Sequence, residues 1–163
     1  KGSVLLDLVD PEKPYARLAL VDLAGGRYLK VGDVNTLRVD SVLDVGGAYA
    51  AVAGRTGGSG AVRLVLLDLE TLSAKVTGTV DVHPETGIWK AGAGLYAVAS
   101  VGGRWKLGLF DPATLELKVS SDSEVSPFTF FKTVPEGIVV AGSKGGLILL
   151  KKDDLKTLKE IAR

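Results

Sequence analysis

The chain has 163 residues, with no cysteine, no methionine and 20 basic against 19 acidic side chains, for a net charge of +1. Those counts exclude disulfides, thiolate metal sites and a thiol nucleophile, and the charge balance gives no reason to expect nonspecific attraction to nucleic acid or membrane. At 46% apolar residues the chain supports one domain with a substantial core.

Residues 3–8, 16–23 and 28–31 are short apolar-rich segments bounded by turn residues, a pattern that predicts strands. The second of them contains LALVDL (18–23), and that phrase returns as LVLLDL (64–69), LGLFDP (107–112) and LILLKK (147–152). Asp22, Asp68 and Asp111 lie 46 and 43 residues apart, and Lys151 takes the same place 40 further on, the period of a propeller blade. Each later anchor strand follows a glycine and a small-residue apolar run that begins at Gly47, Gly94 or Gly137. A further short segment precedes each glycine (39–45, 85–91 and 129–134), and another follows each anchor turn (73–80, 116–121 and 156–161). The unit is four strands, and the first copy lacks its inner strand.

This organisation predicts an all-β fold, a β-propeller of about four four-stranded blades. The expected layout is one repeat domain over residues 1–163, with repeats at roughly 1–36, 37–80, 81–123 and 124–163. A sandwich would not need the repeat. Strands buried on both faces read as unbroken apolar runs, as LVLLDL does. The chain starts at Lys1 and its first blade is short of a strand. The expectation is therefore an excised piece of a longer propeller, a chain that joins another to complete a ring, or an irregular small ring.

The phrases from Leu64 (LVLLDLETLSAKVTG) and from Leu107 (LGLFDPATLELKVSS) resemble the third and fourth strands of the YVTN and quinoprotein-like propeller families, in which an apolar strand ends in an Asp-turn-Thr hairpin. The Gly-His and Trp-Asp signatures of WD-repeat propellers are absent. The aspartates read as structural, because an Asp at a strand end accepts backbone N–H bonds within its own turn and a Thr three residues on reinforces it.

Candidates for chemistry are few. The single histidine, His83, lies in DVHPETG without a second His or Cys nearby, a poor metal site; its blander reading is a polar loop between blades, with Pro84 and Gly87 supplying the turn. The glycine-rich stretches after Arg55, Val101 and Lys144 lack the Walker spacing and read as hairpin turns between second and third strands. No Gly-x-Ser-x-Gly elbow occurs. Lys144, Lys151, Lys152, Lys156 and Lys159 cluster in the last repeat among Asp153, Asp154 and Glu160, which reads as a solvated outer edge rather than an RNA patch. The PFTFF run from Pro127 is assigned to the core.

The expected interaction face gathers Lys13 and Tyr15 from the first long hairpin, Arg55 from the second, Arg104 and Trp105 from the third, and His83 with Trp89 from a neighbouring connection. Arg, Tyr and Trp are the types that anchor interfaces, and the alternative for Trp89 and Trp105 is packing between blades. The expected function is a non-catalytic propeller scaffold or subunit for protein–protein interaction or assembly, with no cofactor or metal. Its partner is a protein, or the chain itself through open strand edges. The alternative is a fragment of a propeller enzyme or ligand-binding propeller whose active groups lie partly outside this chain. Sparse oxidation-prone residues, paired charges and compact turns are compatible with a thermophilic source.

Overall fold

A computed structural model describes residues 3–9, 15–36, 42–46, 49–56 and 60–162. Among them are fifteen β-strands and no helix. Strands β1 (Ser3–Val9), β2 (Ala16–Asp22) and β3 (Arg27–Thr36) form the first blade. The second contains β4 (Val42–Gly46), β5 (Tyr49–Thr56), β6 (Arg63–Asp68) and β7 (Ala74–Asp81). The third contains β8 (Trp89–Ala91), β9 (Gly94–Val101), β10 (Arg104–Phe110) and β11 (Leu117–Ser120). The fourth contains β12 (Lys132–Val134), β13 (Gly137–Ala141), β14 (Leu147–Leu150) and β15 (Thr157–Ile161). Every pairing is antiparallel between neighbours, and β1 stands at a sheet edge where the other blades carry an inner strand. The fold is the expected partial propeller.

Side chains alternate along the third strand of each blade, so one set faces the preceding blade and the other the following one. Val65 and Leu67 pack with Leu18 and Val34 of blade 1, whereas Leu64 and Leu66 pack with Leu95, Ala97, Ala99 and Phe110 of blade 3. Leu107 and Val98 in turn meet Ile138, Val140, Ile148 and Leu150 of blade 4. The core is thus a series of layers between blades, as in other repeat arrays.

A turn at the end of each third strand fastens these layers. The N–H of Leu72 donates to Asp68 O and that of Asp68 to Ser73 O; Asp111–Glu116 and Lys151–Lys156 repeat the pattern with Leu115 and Leu155. The turn forces its fifth residue to a positive φ, 53°, 58° and 55° for Leu72, Leu115 and Leu155. That is a strained state for a leucine, compensated by full burial of all three side chains. Each leucine is a plug seated against the preceding blade: an added Cβ on Gly32 would lie 3.4 Å from Leu72 Cβ, and on Gly78 3.6 Å from Leu115 Cβ. In the third repeat the position equivalent to Gly32 and Gly78 is Ser121, which is buried and whose Oγ accepts the Leu107 N–H.

Backbone bridges also link the blades. Val82, just after β7, pairs with Ala99 of β9, and Val125 pairs with Gly142 beyond β13. Between the first two blades the link is longer, since Val34, Asn35 and Thr36 pair with Thr56, Arg55 and Gly54. For that reason β3 runs well beyond the expected 28–31, and the two blades share one sheet.

The inner strands β8 and β12 are shorter than expected because a Pro turn occupies the residues before them. In His83-Pro84-Glu85-Thr86 and Ser126-Pro127-Phe128-Thr129 the fourth N–H donates to the first C=O. The threonine hydroxyl donates to the next carbonyl, Gly87 O or Phe130 O, and accepts the N–H of Val98 or Ala141. This corrects the core assignment of PFTFF in part: the turn points Phe128 outward, 70% exposed, and Phe130 is also exposed, while Thr129 is buried and Phe131 packs against the core between blades 3 and 4.

Candidate functional site

In an antiparallel four-strand blade, the hairpin between second and third strands and the connection to the next blade emerge at the same end. At that end of blades 3 and 4 the side chains converge. His83 and Trp105 meet edge to face with centroids 4.7 Å apart, and Phe128 approaches the same imidazole at 6.2 Å. Trp105 is held at the start of β10, where its carbonyl accepts the Val125 N–H. Beside it Arg104 pairs with Glu124 at 2.9 Å. A groove of about 480 Å³ continues outward between Arg104, Asp122, Glu124, Lys144 and Glu160.

His83 has a structural duty here. Its Nδ1 accepts the Glu85 N–H at 3.0 Å, as Ser126 Oγ accepts the Phe128 N–H in the next repeat. Partial burial pushes the imidazole pKa below its ordinary value, and the Glu85 carboxylate opposes that only in part. A neutral ring whose Nδ1 accepts carries its proton on Nε2, so it is placed to pack and to donate from that nitrogen. Among the described residues, no group of three or more His, Asp or Glu side chains is placed to hold a metal.

Trp89 lies apart from this cluster. Its ring stacks on Phe131 at 5.5 Å and 10°, beside Tyr96, in the packing between blades 3 and 4. It lies so close over Gly87 that a Cβ there would come within 2.7 Å of the indole. Arg55 is half-buried opposite Asn35, and its Nε has no hydrogen-bond partner among the described residues. Tyr15 is half-buried, and Lys13 lies outside the described residues. The structure therefore brings together His83, Arg104 and Trp105 of the expected set, and adds Phe128 and Glu124. Aligning the two Pro turns could have found Phe128, which occupies the outward place of Glu85.

The anchor carboxylates do structural work. Asp68 Oδ1 accepts the N–H groups of Glu70 and Thr71 and the Thr71 hydroxyl, and these donors hold its pKa below the usual range. The Lys118 ammonium, 2.6 Å from Asp111, together with the N–H groups of Ala113 and Thr114, lowers the Asp111 pKa to about 2. Lysines of the last repeat are partly committed: Lys151 and Lys156 lie against Asp154, and Lys152 donates to Pro135 O. Among the described residues, no helix is long and apolar enough to cross a membrane.

Two solved structures share the architecture. BamB from Moraxella catarrhalis superposes with a TM-score of 0.55 at 14% identity, covering 97% of this chain and 64% of that one. The dihydro-heme d1 dehydrogenase NirN, in complex with DHE, gives 0.51 at 12% identity, covering 99% and 38%. Both are β-propellers of the quinoprotein-like kind, and the protein spans less than two thirds of either chain. A search of curated proteins finds no match. Residues 3–131, most of the chain, match the family model described as Borrelia P83/100 protein, and the protein belongs to that family.

Proposed function

We propose that the protein is a non-catalytic β-propeller scaffold, one repeat domain whose loop face docks a protein partner. One observation carries this reading: His83, Trp105 and the largely exposed Phe128 form an aromatic cluster on one face, rimmed by the Arg104–Glu124 pair. An exposed phenylalanine over half-buried aromatic rings, beside an arginine, is the composition of an interface hot spot with a polar rim. Among the described residues β1 pairs on one side only, with β2, and its other side offers a second place suited to an extended segment.

The competing reading, a fragment of a propeller enzyme, is favoured only by the likeness to NirN, a dehydrogenase by its description. The cysteine-free chain lets single cysteines carry a photo-crosslinker without further engineering. Labels at Arg104→Cys or Phe128→Cys should trap one reproducible protein, and a label at Glu116→Cys on the outer edge should not. Equal labelling from both places, or none from the loop face, would remove the scaffold reading. Recovery of a bound small molecule at the groove instead would favour the enzyme fragment.

A further inference from the structure

Blades 3 and 4 leave a second cleft between them, of about 690 Å³, at the end of the blades opposite the aromatic cluster. It opens between the β8–β9 hairpin of one blade and the anchor turn after β14 of the next, two connections that antiparallel strands place at that end. A cleft of this size belongs to the range of small-molecule sites. Its walls are apolar, with Leu109 on blade 3 and the fully buried Ile138 on blade 4.

Tyr96 carries a polar group into this apolar place. The residue is 4% exposed, and its ring packs on Phe131 with centroids 4.9 Å apart. The phenol lies over Gly94 at the rim of the cleft, where an added Cβ would come within 3.1 Å of the hydroxyl. Among the described residues that hydroxyl has no hydrogen-bond partner, and it opens on the cleft. Packing alone does not require it: the same position, across from the residue two before the anchor, is Ala51 in blade 2 and Val139 in blade 4. A hydroxyl held this deep without a partner is costly unless what fills the cleft supplies one.

The charges around the cleft decide the sign of its ligand. Lys90 and Lys152 line it, yet each ammonium donates to a carbonyl, Val45 O at 3.2 Å and Pro135 O at 3.4 Å. Asp153, on the anchor turn, makes no ion pair or hydrogen bond among the described residues; Lys151 and Lys156 pair with its neighbour Asp154 instead. Burial, and after it the Asp153 carboxylate, push the Tyr96 phenol pKa above its ordinary value. The cleft thus opposes a second negative charge, and Asp153 favours a positive one. We propose that this cleft binds a small primary amine, whose ammonium donates to the Asp153 carboxylate and the Tyr96 hydroxyl and whose apolar stem lies on Leu109 and Ile138. An ammonium supplies the donors that both oxygens lack. The site shares no residue with the aromatic cluster and does not depend on what docks there.

Titration of n-hexylamine into the isotope-labelled chain, followed by NMR, should shift the amides of residues 90–96 and 152–153 in a saturable way. n-Hexanol, which has the stem without the charge, and hexanoate, which has the opposite charge, should bind at least about tenfold more weakly. Asp153→Asn should weaken hexylamine at least about tenfold and leave n-hexanol unchanged. Tyr96→Phe keeps the ring and removes the hydroxyl, and should weaken hexylamine several-fold. Amide dispersion identifies any variant that fails to fold, and Asp153 is an exposed residue without bonds to lose, so that its substitution keeps the test decisive. No saturable shifts, shifts confined to His83, Trp105 and Phe128, hexanoate binding as tightly as hexylamine, or full affinity in the folded Asp153→Asn variant would each overturn the proposal.

Discussion

Two residues from similar turns show how one backbone task is met by different chemistry. His83 and Ser126 both accept the N–H two residues on, through Nδ1 and Oγ. Only the imidazole makes the turn sensitive to pH. Burial lowers its folded pKa below the 6.5 of the free side chain, so below that pH the unfolded chain binds more protons and stability falls until the folded imidazole is protonated too. His83→Ser should therefore hold the turn and flatten the melting temperature over this window, whereas a profile identical to the parent's would mean that burial does not shift the His83 pKa on folding. A second acid window belongs to the depressed carboxylates Asp68, Asp111 and Asp122. Their stabilisation is full above the ordinary 3.8 and is lost as pH falls toward the folded values, about 2 for Asp111. Asp111→Asn should lower the melting temperature at neutral pH, and the gap should close as the parent is acidified.

At the scale of the element, the anchor turn and its leucine decide how firmly blades join. Leu115 is buried against Gly78 of the preceding blade and belongs to the layer with Phe110 and Leu64. Leu115→Ala leaves a cavity there and keeps the strained φ, so it should cost about 2–5 kcal/mol in urea unfolding; a loss within the range of ordinary surface substitutions would mean that the plug does not couple the blades. Gly78→Leu, which crowds the same seat, should destabilise as well. The repeated phrase LVLLDL exposed this architecture directly, because leucines on both strand faces and an aspartate at the strand end are local signals. The positive-φ leucines were not legible in advance, since leucine is among the residues least expected in that conformation. Nor was the outward turn of Phe128: an apolar run reads as core unless the Thr129 hydroxyl, bonded to Ala141 N–H, is known to take the buried place. The aromatic cluster shared this limit, being assembled from Trp105 at the start of β10 and from His83 and Phe128 on two separate connections.

The whole molecule is a chain of blades in which each is stabilised mainly by its neighbours, so stability should be distributed by position along the array. Blade 3 has a filled layer on both sides, with Leu95, Ala97 and Ala99 against blade 2 and Tyr96, Val98 and Leu107 against blade 4. Among the described residues β1 pairs only with β2, and blade 1 has Gly26 where the others place a plug. Blade 4 leaves Leu147 and Ile161 uncovered. Local opening should therefore begin at the two ends, and hydrogen exchange should show the slowest amides in β9 and β10, with faster exchange in β1 and β15. Uniform protection from β1 to β15 in a monomer would instead mean that the blades unfold as one unit, and that the interblade layers do not set the order of stability.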